Sequence, residues 1–174
     1  MKKRFSLLAF LFSLAFTFAQ DFVKKDNFST NKVTKIILLR HAEKVLDGSN
    51  DPVLSSEGEA RAERLDFLLS DMKIDRIFSS PYLRTKSTVA KLAKNKEIIV
   101  EEYDPKDVNF AKYLLENEEG RTSVIVGHSN TIPFLVNQLV VEDKFSVLSE
   151  DIYSKLWILT FFNGVLIDCS LLKF

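Results

Sequence analysis

A single cysteine in 174 residues leaves no partner for an internal disulfide. Five glycines and four prolines are too few for a collagen-like chain, and no repeat or low-complexity tract interrupts the sequence. An excess of one charge is also missing. The 24 basic residues balance 24 acidic ones, and no basic block follows the first four residues, so nucleic acid is not an expected partner. Histidine is scarce too: the chain has two, His41 and His128.

The longest apolar run comes first. Lys2, Lys3 and Arg4 precede a run from Phe5 to Phe18 that is shorter than the roughly 20 residues a bilayer span needs. Thr17 and Ala19 then put small residues three and one positions before a cut ahead of Gln20. This order predicts a secretory signal peptide over 1–19, a periplasmic or secreted protein, and no stable membrane insertion after cleavage. No cysteine follows the run, which argues against a lipid anchor. Losing 1–19 removes three cations and no anions, leaving 21 basic residues against 24 acidic. Residues 20–32 read as a polar linker, and 33–174 as one compact domain of ordinary composition, 46% hydrophobic and 28% charged over the chain. Cys169 lies in an apolar stretch and reads as a small core residue.

Short apolar runs then alternate with helical patterns. Strands are expected at 33–39, 74–79, 97–101 and 122–126, the last purely apolar in its middle as a doubly buried strand should be. Ser56 and Glu59 have capping-box spacing ahead of Leu65, Leu68, Leu69 and Met72. Pro81, after a Ser cap, fits the first turn of a helix running to about Lys94, and another helix is expected over 107–118. Ile132, Leu135, Val136 and Leu139 mark a helix from about Asn130. Asn163-Gly164 between 155–162 and 165–172 signals a hairpin with Trp157, Phe161 and Phe162 in its core. Four strand–helix repeats predict an α/β domain with a mostly parallel sheet, closed by an antiparallel hairpin.

In such sheets ligands bind beyond the carboxyl ends of the strands. The four early strands end in Arg40-His41-Ala42-Glu43, Ser79-Ser80-Pro81 with Arg84, Glu101-Glu102-Tyr103-Asp104, and Gly127-His128-Ser129-Asn130. Parallel strands would gather these clusters, with both histidines, at one edge. Two arginines and a histidine suit a tetrahedral dianion, and a helix opening after His128 adds free N–H groups. A second, neutral histidine can attack phosphorus without a metal.

At these residues the chain resembles the histidine phosphatase superfamily, in its phosphoglycerate mutase-like branch. Leu38-Leu39-Arg40-His41-Ala42-Glu43 matches the first-strand motif, and Leu54-Ser55 with Gly58 matches the lead into the first helix. Ser79-Ser80-Pro81 with Arg84 and Thr88 is similar to the second pocket motif, and Val126-Gly127-His128-Ser129-Asn130 to the second-histidine motif. The resemblance implies a three-layer sandwich with helices on both faces, and a phosphomonoester hydrolase with no metal or organic cofactor acting on a small phosphorylated substrate. It also implies that His41 becomes phosphohistidine while Arg40, Arg84 and His128 hold phosphoryl oxygens. The acid that protonates the leaving group is implied near the third strand end, at Glu101, Glu102 or Asp104, with Asp104 favoured. Lys44 departs from the Ser or Thr many relatives carry.

Other motifs fail on single residues. Gly127-His128-Ser129-Asn130-Thr131 approaches a serine-hydrolase elbow, but Thr131 stands where glycine is needed. Asp47, Ser49 and Asp51 have calcium-loop spacing, but Pro52 stands in the glycine position. Three rivals remain open: a mutase, a phosphohistidine-protein phosphatase, and a non-catalytic module that binds phosphorylated ligands.

Overall fold

The computed structural model describes residues 31–174; the expected signal peptide and most of the linker lie outside the described residues. Six strands form one sheet in the order β3-β2-β4-β1-β5-β6. They are β1 (Val33–Arg40), β2 (Arg76–Ser79), β3 (Val100–Glu102), β4 (Thr122–Gly127), β5 (Lys155–Phe162) and β6 (Val165–Lys173). The first four run parallel, β5 pairs antiparallel with β1, and β6 pairs antiparallel with β5. Among the described residues there are four helices: α1 (Ser56–Leu68), α2 (Leu83–Lys96), α3 (Phe110–Asn117) and α4 (Thr131–Val140). None is long and apolar enough to cross a membrane.

Successive side chains of a strand point to opposite faces, and β1 is apolar on both. Ile36 and Leu38 pack with Phe110 and Leu114 of α3, Ile132, Leu135, Val136 and Leu139 of α4, and Trp157. Ile37 and Leu39 pack with Leu65 and Leu69 of the α1 region and with Val89 and Leu92 of α2. Two cores on one sheet give the three-layer α/β sandwich with helices on both faces. Each such fully buried side chain contributes about 1.5–3 kcal/mol over an exposed one.

Several boundaries differ from the expectation, each for a local reason. Ser55, not Ser56, caps α1: its Oγ accepts from Gly58 N at 3.2 Å, so Glu59 falls outside the box. The helix ends at Leu68, which points outward, and Met72 lies in the following turn. Pro81 sits in a turn ahead of α2, which starts at Leu83 without a local side-chain cap. Asp51 supplies the cap from 32 residues away, both carboxylate oxygens accepting from Leu83 N at 3.0 and 3.2 Å. Cys169, on the edge strand, is half-buried rather than central, and Phe162 turns outward at 39% exposed. The Asn163-Gly164 turn has positive φ at both residues (49° and 78°), as a two-residue hairpin of this twist requires.

Candidate active site

The register of three adjacent strands builds the site. Arg40 pairs with Gly127 at the carboxyl ends of β1 and β4, and Ser79 pairs with Val126 across β4 and β2. His41 N then donates to Gly127 O at 3.0 Å, and Ser80 N to Val126 O at 3.2 Å. The chain therefore leaves β1, β4 and β2 with His41, His128 and Ser80 side by side. The two imidazole rings lie with centroids 5.5 Å apart.

His41 is 3% exposed. Its Nδ1 is 2.7 Å from Ala42 O, and a carbonyl can only accept, so Nδ1 carries the proton and Nε2 holds the lone pair. Burial lowers the imidazole pKa to about 3; the Ala42 bond opposes this, while the charges of Arg40, His128 and Arg84 add to it. Burial, then the charges of Arg84, Arg40 and Lys44, likewise lowers His128 to about 4. Both rings are thus held neutral at pH 7 in a cationic cleft.

His128 Nε2 is 2.9 Å from Ser80 Oγ, which is 3.0 Å from Thr85 Oγ1. Thr85 in turn donates within reach of the Ser80 and Tyr82 carbonyls, both at 2.8 Å. This hydroxyl chain fixes the ring through Nε2 and leaves Nδ1 for a ligand. Thr88 ties the first motif to α2: its Oγ1 accepts from Ala42 N at 2.9 Å and donates to Arg84 O at 2.7 Å. Gly58 explains its own motif, because a Cβ there would lie 2.0 Å from Glu43 O. Glu43 orients Arg61, accepting from Nε at 2.9 Å and Nη2 at 2.6 Å; burial pushes its carboxyl up, but Arg61 outweighs that and holds it below the usual range.

Arg40 is a buried cation with many partners. Its Nη1 donates to the carbonyls of Ser149, Glu150 and Ile152 at 2.9, 3.1 and 3.1 Å, its Nη2 to Glu150 Oε2 at 3.0 Å, and Tyr153 covers its face at 4.0 Å. Arg84 donates from Nη1 to Asp51 at 3.3 Å and stacks on Tyr82 at 4.5 Å. The Nε atoms of both arginines are buried and meet no acceptor among the described residues. Two orphaned guanidinium donors beside two neutral imidazoles are costly unless an anion completes them.

The third-strand carboxylates have partners of their own. Glu101 pairs with Arg76, and Glu102 with Lys86 at 2.5 Å. Asp104 accepts from Lys106 N at 2.9 Å and borders a shallow cleft with Tyr103, Phe110, Thr131 and Phe134. Their strand, β3, is separated from β1 by β2 and β4. Sequence reading missed Glu150 and Tyr153, which reach Arg40 from the segment entering β5. No group of three or more His, Cys, Asp or Glu among the described residues is arranged to hold a metal ion.

The family model of the histidine phosphatase superfamily (branch 1) matches residues 36–106. Among solved structures, the protein histidine phosphatase SixA complexed with tungstate is 19% identical at a TM-score of 0.65, covering 80% of this chain and 96% of that one. A putative phosphohistidine phosphatase SixA from Agrobacterium tumefaciens is 22% identical (TM-score 0.58, 78% and 97% covered). Phosphoserine phosphatase from Entamoeba histolytica, in complex with 3-phosphoglyceric acid, is 20% identical (TM-score 0.60, 81% and 98% covered). These likenesses are of fold, and no curated protein matches the sequence. With the motif residues of the matched segment assembled around one cleft, the chain resembles the histidine phosphatase superfamily in fold and, over residues 36–106, in sequence.

Proposed function

We propose that the chain is an exported phosphatase that hydrolyses a phosphomonoester through a phosphohistidine on His41. One observation carries the reading: a lone-pair nitrogen on a buried, neutral His41 faces a cleft with two unpartnered guanidinium N–H donors. His41 Nε2 forms the bond to phosphorus as the bond to the ester oxygen breaks. Arg40 and Arg84 through Nε, and His128 through Nδ1, hold the phosphoryl oxygens and stabilise the charge spread over them. For His128 to donate from Nδ1, Ser80 donates its proton to Nε2, which the rotatable hydroxyl permits. Water then attacks the phosphohistidine and releases phosphate.

The solved relatives named as phosphatases support hydrolysis over mutase transfer. The charged start, short apolar run and small residues before Gln20 support export. Mature protein from Gln20 onward is expected to hydrolyse 4-nitrophenyl phosphate, and His41→Ala to abolish turnover. Labelled phosphate trapped after acid-free quenching should sit on His41. Label on a serine, or phosphate binding without turnover of any ester, would replace this reading; the latter favours the non-catalytic module. Export is checked by fractionation and N-terminal sequencing, and a mature chain starting at Met1 would overturn it.

A further inference from the structure

Resting on the phosphatase reading, we infer that Glu150 is the carboxylic acid that protonates the leaving oxygen, a role that none of the third-strand carboxylates fills. Its backbone is built into the site. The carbonyls of Ser149, Glu150 and Ile152 all accept from buried Arg40 Nη1, and Leu148 N donates to Ser129 O at 2.9 Å, beside His128. This segment leads into β5, which pairs antiparallel with β1, so its start meets the end of β1 where His41 emerges. The third-strand end lies on the other side of β4 and β2.

The side chain is placed for the task. Glu150 Oε2 is 3.0 Å from Arg40 Nη2 and Oε1 is 3.5 Å from Ser129 Oγ, yet the side chain is 79% exposed. His41 lies deep in the cleft, so in-line attack expels the ester oxygen toward the mouth, where an exposed carboxylate stands. Arg40 Nη2 and Nε form one edge of the guanidinium, with the carboxylate on the first and nothing on the second. An arriving phosphoryl dianion takes that edge and sets Glu150 beside a like charge. Glu150, entering the step as the acid, gives its proton to the ester oxygen as the P–O bond breaks and the alcohol departs. The regenerated carboxylate takes a proton from the water that attacks phosphorus, the N–P bond breaks, and inorganic phosphate leaves.

The test compares kcat/KM, which reports the first phosphoryl transfer, for 4-nitrophenyl phosphate and phenyl phosphate in wild type, Glu150→Gln and Asp104→Asn. Nitrophenolate leaves without a proton; phenolate needs one. Glu150→Gln is expected to lose about a hundredfold on phenyl phosphate and only a few-fold on the nitrophenyl ester, with Glu150→Asp partly restoring the former. Equal losses on both esters would mark a structural role through Arg40. Equal gains, with lower KM, would mark Glu150 as a mere competitor for the guanidinium, and no change would leave it idle. The differential pattern in Asp104→Asn instead would return the acid to the third strand. Each of these outcomes overturns the assignment while leaving the phosphatase reading standing. Wild type inert toward both esters sinks that reading and this inference together.

Discussion

The pKa of His41 lends itself to a direct measurement, because the untagged chain has two histidines and their ring signals can be told apart with one variant. A histidine with its ordinary pKa would be roughly 97% protonated at pH 5. Burial, with the charges of Arg40, His128 and Arg84, lowers the His41 value to about 3, which leaves the ring roughly 99% neutral at that pH. Following the imidazole carbon signals by NMR from pH 8 to 4, with His128→Gln for assignment, should show almost no titration of His41. The same signals in urea-unfolded protein should move with a midpoint near 6.5. Stability follows with a definite sign. Between about pH 6.5 and 3 the unfolded chain binds a proton that the folded chain resists. Stability is therefore fully present above 6.5 and falls as the pH drops through that window. From pH 6.5 to 4 this amounts to at most about 3 kcal/mol for the nearly fully buried His41. The more exposed His128 contributes less, because water screens it. Urea unfolding of wild type and His41→Gln at pH 7 and 4.5 isolates the effect, wild type losing more. A folded-state midpoint for His41 near 6.5 would refute the account of the cleft as a desolvated, cationic site. The low value also changes what an acid limb in the rate means: loss of turnover between pH 6.5 and 5 would come from another group.

Two further expectations concern the scaffold. Thr88→Val keeps the shape but strands the buried Ala42 N–H, at a cost of about 1–3 kcal/mol in urea unfolding. Thr88→Ser should recover most of it, and an unchanged midpoint for the valine variant would count against the link. Gly58→Ala drives a methyl group against Glu43 O, so α1 must move off the 42–44 segment, lowering stability by roughly 3 kcal/mol. Thermal unfolding by circular dichroism should register a fall of roughly 10 °C; a shift under about 2 °C would show that the contact yields freely.

What could be read from the sequence was what short-range chemistry determines. The apolar runs of β1 and β4, the Ile132-Leu135-Val136-Leu139 stripe of α4 and the Asn163-Gly164 turn are each decided within a few residues. The expected grouping of His41, His128, Arg40 and Arg84 follows from parallel strands ending at one edge, and the structure brings them together. What escaped reading depends on partners far along the chain. Asp51 caps a helix 32 residues later, and no local pattern announces it. Glu150 and Tyr153 reach Arg40 because β5 runs antiparallel, so its entry, not its exit, faces the cleft. Attention to the carboxyl ends of parallel strands passes over such residues. Choosing between Ser55 and Ser56 as the cap likewise needed the close approach of Gly58 to Glu43.

The spacing of the two imidazoles is inherited from the ladder between β1 and β4, where Arg40 faces Gly127 and neighbouring strands lie about 4.8 Å apart. On the proposed reading, the socket for the phosphoryl group is as stiff as the sheet and nearly blind to the rest of a substrate. On that reading, discrimination falls to rim segments outside the ladder, among them the stretch that starts at Lys44, whose charge reaches His128. Grafting residues 44–50 from a relative of different preference, with Asp51 and Glu150 left in place, is expected to redirect which molecule is accepted while the bond-breaking apparatus stays.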